Sequence, residues 1–104
     1  MRSLTKSPMR LADLALRVGQ ESLAPYSSRF SRKDFTQPQL FALVVLKQFF
    51  KTDYRGICSI VAEWSELRAF LQLAKVPDHT TIWRAERRLM RGEVFSRLLT
   101  RIFA

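Results

Sequence analysis

The sequence contains few of the residues from which most small catalytic and metal-binding sites are built. It has one cysteine, one histidine and three glycines that lie far apart. A single thiol can form neither an internal disulfide nor a cysteine-rich metal site, which fits a reducing compartment. Isolated glycines do not make a phosphate-binding loop. The nine carboxylates are dispersed along the chain, so no catalytic constellation is predicted.

Long apolar runs and alternating patterns are also missing. The most apolar stretch, Leu40–Leu46, is too short to span a bilayer, and the N-terminus lacks the apolar core of a signal peptide. No segment alternates apolar and polar residues as a half-buried strand does. We therefore expect a soluble, cytoplasmic protein without strands.

Positive charge is what the sequence has in excess. Eighteen Lys and Arg face nine Asp and Glu, which gives a formal net charge of +9 and a pI of about 10.9. Hydrophobic residues make up 47% of the chain, so it can fold around a core and is not a disordered basic polypeptide. The surplus favours binding to a polyanion, namely DNA, RNA or an anionic membrane; a basic but inert surface is the alternative.

Helical periodicity predicts an all-α fold, with a basic, partly helical arm over residues 1–35 and a helical domain over residues 36–104. The arm carries one short helix, about Met9–Glu21, and is expected to pack loosely or to reach towards a partner. The domain is one small core of about five helices. Their expected bounds are Leu40–Phe50, Tyr54–Trp64, Glu66–Leu73, His79–Arg91 and a last helix from about Glu93.

Capping residues mark where these helices begin. Thr36 and Gln39 have capping-box spacing, and Thr52 and Asp53 can both cap the second helix of the domain. Ser65 precedes the third helix and Asp78 the fourth. Two sequence signals mark where helices end. Val76-Pro77 is predicted to stop the third helix, and Gly92 to end the fourth. The third helix, the turn through Pro77 and the fourth helix are predicted to form a helix-turn-helix.

The fourth helix divides into two faces when each residue is turned by about 100°. An apolar face is predicted for Ile82, Ala85, Glu86, Leu89 and Met90, with Trp83 at its border. The opposite face is rich in arginine. The planar guanidinium group of arginine has a fork of N–H donors, which can form two hydrogen bonds at once with a phosphate or with O6 and N7 of a guanine. The predicted DNA-binding residues are His79, Thr80, Thr81, Arg84, Arg87, Arg88 and Arg91. A plain solvated basic helix, or one that pairs with acidic residues elsewhere in a longer protein, is the alternative.

Other conspicuous side chains are assigned structural roles. Trp64 and Trp83 are expected in the core rather than as platforms for bases, and Cys58 is expected to be a small core residue rather than a nucleophile. The basic residues Lys47, Lys51 and Arg55 are interpreted as ordinary solvated charges.

The order of these elements resembles the N-terminal region of bacterial insertion-sequence transposases of the DDE class. The resemblance spans about residues 26–95, and its most specific part is Pro77–Leu89. It rests on Phe35–Leu40, on Tyr54–Arg55, and on Val76–Arg84 with the following Arg87–Leu89. In that family the helical region is thought to bind the terminal inverted repeats of the element and to help pair its ends. A ribonuclease-H-like domain downstream cuts and joins DNA with three carboxylates and two divalent metals.

The chain departs from that family by stopping at Ala104, about where the catalytic domain is expected to begin. The resemblance therefore implies a DNA-end-binding part of a transposase, either a fragment or a truncated or split frame. No catalytic residue can be carried over, so this chain is not expected to be an enzyme. No cofactor is expected here, and the divalent metal belongs to the absent domain.

Double-stranded DNA is the expected partner, and the expected location is the bacterial cytoplasm, in association with the nucleoid. Neither a membrane nor a small-molecule substrate is expected. A helical dimerisation or interaction module without specific DNA recognition is the alternative function. In that case a homodimer would form through the apolar stripe of the last helix, which carries Leu98, Leu99, Ile102 and Phe103.

Overall fold

A computed structural model describes residues 7–26, 34–91 and 93–103, without strands in these ranges. The all-α prediction is confirmed, with one helix before residue 36 and five after it. The six helices are α1 (Pro8–Ser22), α2 (Gln37–Phe49), α3 (Tyr54–Glu63), α4 (Ser65–Phe70), α5 (His79–Leu89) and α6 (Glu93–Phe103).

Helix α2 is the centre of the fold. Seven consecutive side chains, Leu40–Leu46, are buried, as expected for a helix covered on several sides. The predicted capping box is present. The backbone N–H of Gln39 donates to the Thr36 hydroxyl at 3.2 Å, and the backbone N–H of Thr36 donates to the Gln39 side chain at 2.8 Å. Gln39 also donates to the backbone carbonyls of Leu71 and Gln72, so it fastens the start of α2 to the end of α4.

Helix α1 packs along α2 as a full part of the core. It buries Leu11, Ala12, Ala15 and Val18, and a Cβ on Gly19 would lie only 3.0 Å from the Pro38 Cα. Such an approach favours glycine, because a Cβ at this position would force Pro38 to move by a few tenths of an ångström. The expectation of loose packing is therefore wrong for residues 8–22. The boundary between residues 35 and 36, and a reach by other parts of the arm, stay predictions.

Two helices end in a left-handed residue that is not glycine. After α2, Lys51 has φ 55°, and the Thr52 N–H donates to the Lys47 carbonyl; after α4, Gln72 has φ 59°, and the Leu73 N–H donates to the Arg68 carbonyl. Both turns satisfy carbonyls that a helix end leaves unpaired. Because α4 stops at this turn, the predicted extension of the third helix to Leu73 was wrong.

Helix α4 differs from the prediction in two further details. Ser65 is the first helical residue rather than the cap, and Trp64 occupies the cap position without a capping side-chain hydrogen bond. Phe70 at the end of α4 is 39% exposed, whereas Leu67 and Leu71 on either side of it are buried. At the junction of α3 and α4, the Arg68 guanidinium donates hydrogen bonds to the Val61 and Ala62 carbonyls at the end of α3.

Helix α5 rests on α2 and α3, and α6 rests on α1. The α6 residues Leu98 and Ile102 are buried within the monomer, and Arg101 pairs with Glu21 of α1 at 3.3 Å. Gly92, predicted to end α5, lies outside the described residues, as does the Phe103 side chain. Within the described ranges, no helix combines the length and apolar character needed to cross a bilayer.

Candidate nucleic-acid interface

The first turn of α5 is closed by Asp78. Its Oδ1 accepts the Thr81 backbone N–H at 2.8 Å and the hydroxyls of Thr80 and Thr81 at 3.0 Å each. The predicted cap is therefore confirmed. The same contacts occupy both threonine hydroxyl protons and place a carboxylate at this helix end, which disfavours a phosphate there. His79 is half-buried beside this cap.

The acid dependence of this cap can be tested. The bond from the Thr81 N–H, followed by the two hydroxyl bonds, lowers the pKa of Asp78. Stability from the cap is present above the unfolded pKa of about 3.9 and is lost as pH falls through the lower folded value. We expect Asp78→Ala to lower Tm at neutral pH, with the difference shrinking in acid. Asp78→Asn, which keeps an acceptor, should stay closer to wild type at neutral pH. A difference between wild type and Asp78→Ala that is independent of pH would contradict this role.

The two faces of α5 largely match the prediction. Ile82, Ala85, Glu86 and Leu89 are buried. Met90, placed on the apolar face by periodicity, is 60% exposed, because the helix ends at Leu89 and Met90 already belongs to the following turn. Cys58 of α3 lies against the connection that precedes α5, and its thiol donates to the Pro77 carbonyl at 3.2 Å. Partial burial, and then the charge of Asp78, raise the pKa of Cys58, which disfavours a reactive thiolate.

A charged cluster on the inner side of α5 joins three helices. The Lys47 ammonium of α2 lies 3.5 Å from Glu86 Oε1 and 4.8 Å from the centre of the Tyr54 ring of α3. Burial, followed by a hydrogen bond to Glu86 and the charge of that carboxylate, raises the pKa of Tyr54. The side chains of Lys47 and Glu86 are 14% and 10% exposed. The prediction of a solvated Lys47 was therefore wrong, since this lysine helps to fix α5 against the core.

The outer side of α5 carries a concave surface of concentrated positive charge. This open concavity of about 310 Å³ is lined by Trp83, Arg84, Arg87, Arg88 and Arg91, and we call it the arginine face. No lining residue is acidic. Among the described residues, no carboxylate pairs with Arg84, Arg87, Arg88 or Arg91, whereas Arg17 and Arg101 both have such a partner. The charge of the arginine face is therefore not neutralised by the described part of the chain.

Contacts within the arginine face distinguish its members. The Arg87 guanidinium lies over the Trp83 ring, 4.9 Å from its centre, and the Arg88 Nε donates to the Gln37 side chain at 3.3 Å. The prediction of a core Trp83 was wrong, because this side chain is 39% exposed. The spacing of four residues between Trp83 and Arg87 is the signal that could have found the pair, since it places both on one helix face.

The structure thus brings together four of the seven predicted binding residues. Arg84, Arg87, Arg88 and Arg91 share the arginine face, whereas His79, Thr80 and Thr81 stand at the capped start of α5 and do not line it. Contact of any of the seven with DNA stays a prediction. Fold and site define a small helical protein in which one amphipathic helix presents a concentrated cationic face.

Comparison with known families agrees with the resemblance of the sequence. The profile of the family described as Transposase domain (DUF772) matches residues 8–88, and the chain belongs to this family. The matched region begins at the first residue of α1 and ends at Arg88 of α5, so it contains most of the arginine face. Membership indicates a role in transposition. No curated protein matched the chain, and no solved structure matched it.

Proposed function

We propose that this chain binds double-stranded DNA through the arginine face and recognises the terminal inverted repeats of an insertion sequence during transposition. The observation that carries the proposal is the set of four arginines on one concave surface with no carboxylate partner among the described residues. Like charges crowded on one helix repel one another, so such a surface is most stable when an anion occupies it. DNA supplies both phosphates and guanine edges that fit the arginine fork.

The proposed docking places α5 in the major groove as the second helix of a helix-turn-helix, with α4 and the turn through Pro77 before it. Its inner side is held by α2 and α3 through the cluster around Glu86. Because Asp78 already caps the start of α5, phosphate contacts fall mainly on guanidinium groups in the later turns. Arg88, which reaches towards Gln37, is suited to a backbone contact that sets the register.

In this proposal the chain is the DNA-finding part of a DDE-class transposase and acts in the bacterial cytoplasm. Strand cleavage and joining belong to a separate ribonuclease-H-like domain, which would hold the divalent metals. The proposal gives this chain no catalytic residue and no cofactor. Its contribution to transposition is to select the DNA ends.

Replacing two arginines of the arginine face tests the proposal. We expect Arg84→Ala/Arg87→Ala to weaken binding to a duplex that carries an inverted-repeat end by about 30-fold or more, at ~1 kcal/mol or more for each lost contact. The preference for that duplex over a scrambled duplex of equal length should fall as well. Fluorescence anisotropy with labelled duplexes at fixed salt measures both affinities.

A matched control tests whether DNA binding depends on where the two positive charges are removed, or only on the loss of net charge. Arg17→Ala/Arg101→Ala removes the same two positive charges from α1 and α6, where each arginine is exposed and already faces a carboxylate. This variant should bind the inverted-repeat duplex within about 3-fold of wild type, because surface pairs of this kind contribute little. Equal losses in the two double variants would overturn the assignment of the arginine face.

Dimerisation through the last helix is the second candidate, and the structure restricts the surface available to it. Leu98 and Ile102 are buried against the monomer's own core, and Leu99 packs partly against it. These side chains are therefore not available to a second copy unless α6 leaves α1. A homodimer through α6 stays a prediction, and sedimentation of the chain with and without residues 93–104 tests it.

A further inference from the structure

The four arginines of the arginine face differ in how firmly each side chain is held. Arg88 is tied to Gln37 of α2, and Arg91 stands in the turn beyond the helix. Arg84 is exposed, and no ion pair or hydrogen bond is found for its side chain among the described residues. Arg87 is exposed too, but its guanidinium lies over the Trp83 ring, 4.9 Å from the ring centre. Only Arg87 is thus both open to a partner and held by a neighbour.

The position of Trp83 in the arginine face calls for a reason beyond packing. An indole that is 39% exposed within a cationic concavity leaves part of its apolar surface in water. A guanidinium over an aromatic face is attracted electrostatically to the ring, and its N–H donors remain free for another partner. An arginine held in this way loses less conformational freedom when it forms a hydrogen bond.

We infer that Trp83 and Arg87 act as one reading unit, in which Trp83 positions the Arg87 fork for the O6 and N7 edge of a guanine in the major groove. This inference rests on the proposed function, because it requires that the arginine face meets duplex DNA. It assigns base reading mainly to Arg87 and backbone contacts to Arg88 and Arg91. Trp83 is a positioning residue and acts through Arg87 rather than on the DNA.

A double-mutant cycle on the full chain tests the unit. Selection from a randomised duplex library with the wild-type chain first defines the preferred site and its guanines. Discrimination is then the ratio of affinities for that site and for the same site with one G·C pair replaced. Arg87→Lys keeps the charge and loses the fork, so discrimination at one pair should fall by 5-fold or more, while affinity for random duplex stays within about 2-fold.

The Trp83 variants of the cycle test the inference most directly. Trp83→Leu should lower discrimination at the same base pair by about 2- to 5-fold in the wild-type background, and have no further effect in the Arg87→Lys background. Trp83→Phe, which keeps an aromatic face, should fall between Trp83→Leu and wild type. Phe70→Leu is the matched control, since Phe70 of α4 is also 39% exposed and does not line the arginine face. It should leave discrimination unchanged.

Each outcome decides between the inference and an alternative. If Trp83→Leu lowers discrimination equally in both backgrounds, Trp83 acts on the DNA or on the fold directly, and the reading unit is overturned. A uniform loss of affinity for all duplexes, without loss of discrimination, overturns it as well. Both results leave DNA binding by the arginine face intact. If Arg84→Ala/Arg87→Ala binds duplex DNA as tightly as wild type, the proposed function fails, and the reading unit fails with it.

Discussion

Glu86→Ala is expected to lower the free energy of unfolding by about 2–3 kcal/mol, a large fraction of the stability of a small domain. The change removes the carboxylate that faces the Lys47 ammonium at 3.5 Å and leaves that ammonium largely buried without a charge partner. It also removes the carboxylate that, after burial, raises the pKa of Tyr54. Urea unfolding followed by circular dichroism measures the loss.

Two further variants show whether the loss of stability in Glu86→Ala comes from the broken ion pair or from the lost side-chain volume. Lys47→Met/Glu86→Met removes both charges and keeps apolar volume, so its stability should return to within about 1 kcal/mol of wild type. Asp13→Ala breaks the exposed pair with Arg17, where the atoms are 3.1 Å apart, and should cost at most about 1 kcal/mol. A double variant as unstable as Glu86→Ala would contradict the account of the cluster. Because the cluster lies on the inner side of α5, the double variant should keep its affinity for DNA.

Raising the salt concentration from 50 to 200 mM is expected to weaken binding to a random duplex by about 100-fold. Each phosphate neutralised by a cationic side chain contributes about −0.9 to the slope of log affinity against log salt. On a random duplex Arg87 has no preferred guanine and meets a phosphate as the other three do, so four arginines predict a slope near −3.6. Anisotropy titrations over a series of salt concentrations give the slope.

Variants show which arginines produce this dependence. The slope should become shallower by about 2 in Arg84→Ala/Arg87→Ala, and stay unchanged in Arg17→Ala/Arg101→Ala, although both lose the same net charge. A wild-type slope shallower than −1, or the same change in both variants, would mean that the arginine face does not meet the DNA backbone.

The sequence was enough to predict the helical class and the helix starts that depend on a local signal. Thr36, Asp53 and Asp78 cap their helices as expected, because a capping side chain bonds only to residues two or three positions away. The buried face of α5 was predictable for a similar reason, since a single period of 3.6 residues determines it. Family membership has since confirmed the resemblance to transposases.

Features that depend on tertiary contacts were not predictable from local pattern. The burial of α1 depends on the close approach of Gly19 to Pro38, and these residues are far apart in the sequence. The Lys47–Glu86 pair also joins residues that are far apart in the sequence, so the sequence alone indicated that Lys47 was an ordinary surface charge. The end of α4 was missed because Gln72 adopts a left-handed conformation that usually signals glycine.

The candidate site was predicted in part. Four arginines on one face follow from helical spacing, and the structure places all four around one concavity. The prediction of Thr80 and Thr81 as DNA-binding residues did not anticipate that Asp78 accepts hydrogen bonds from both hydroxyls. Trp83 was misplaced because residues at the border of an apolar face can turn either way, and local packing decides.

The most direct test of the central claim is a titration of the isotope-labelled chain with duplex DNA, followed by nuclear magnetic resonance of arginine Nε–H groups and backbone amides. The account predicts that the largest shift changes fall on Arg84, Arg87, Arg88 and Arg91 and on the α5 backbone around them. Arg17 of α1 and Arg101 of α6 should change little. Shift changes concentrated on α1 and α6, with the arginine face unaffected, would contradict the claim that α5 is the DNA-binding helix.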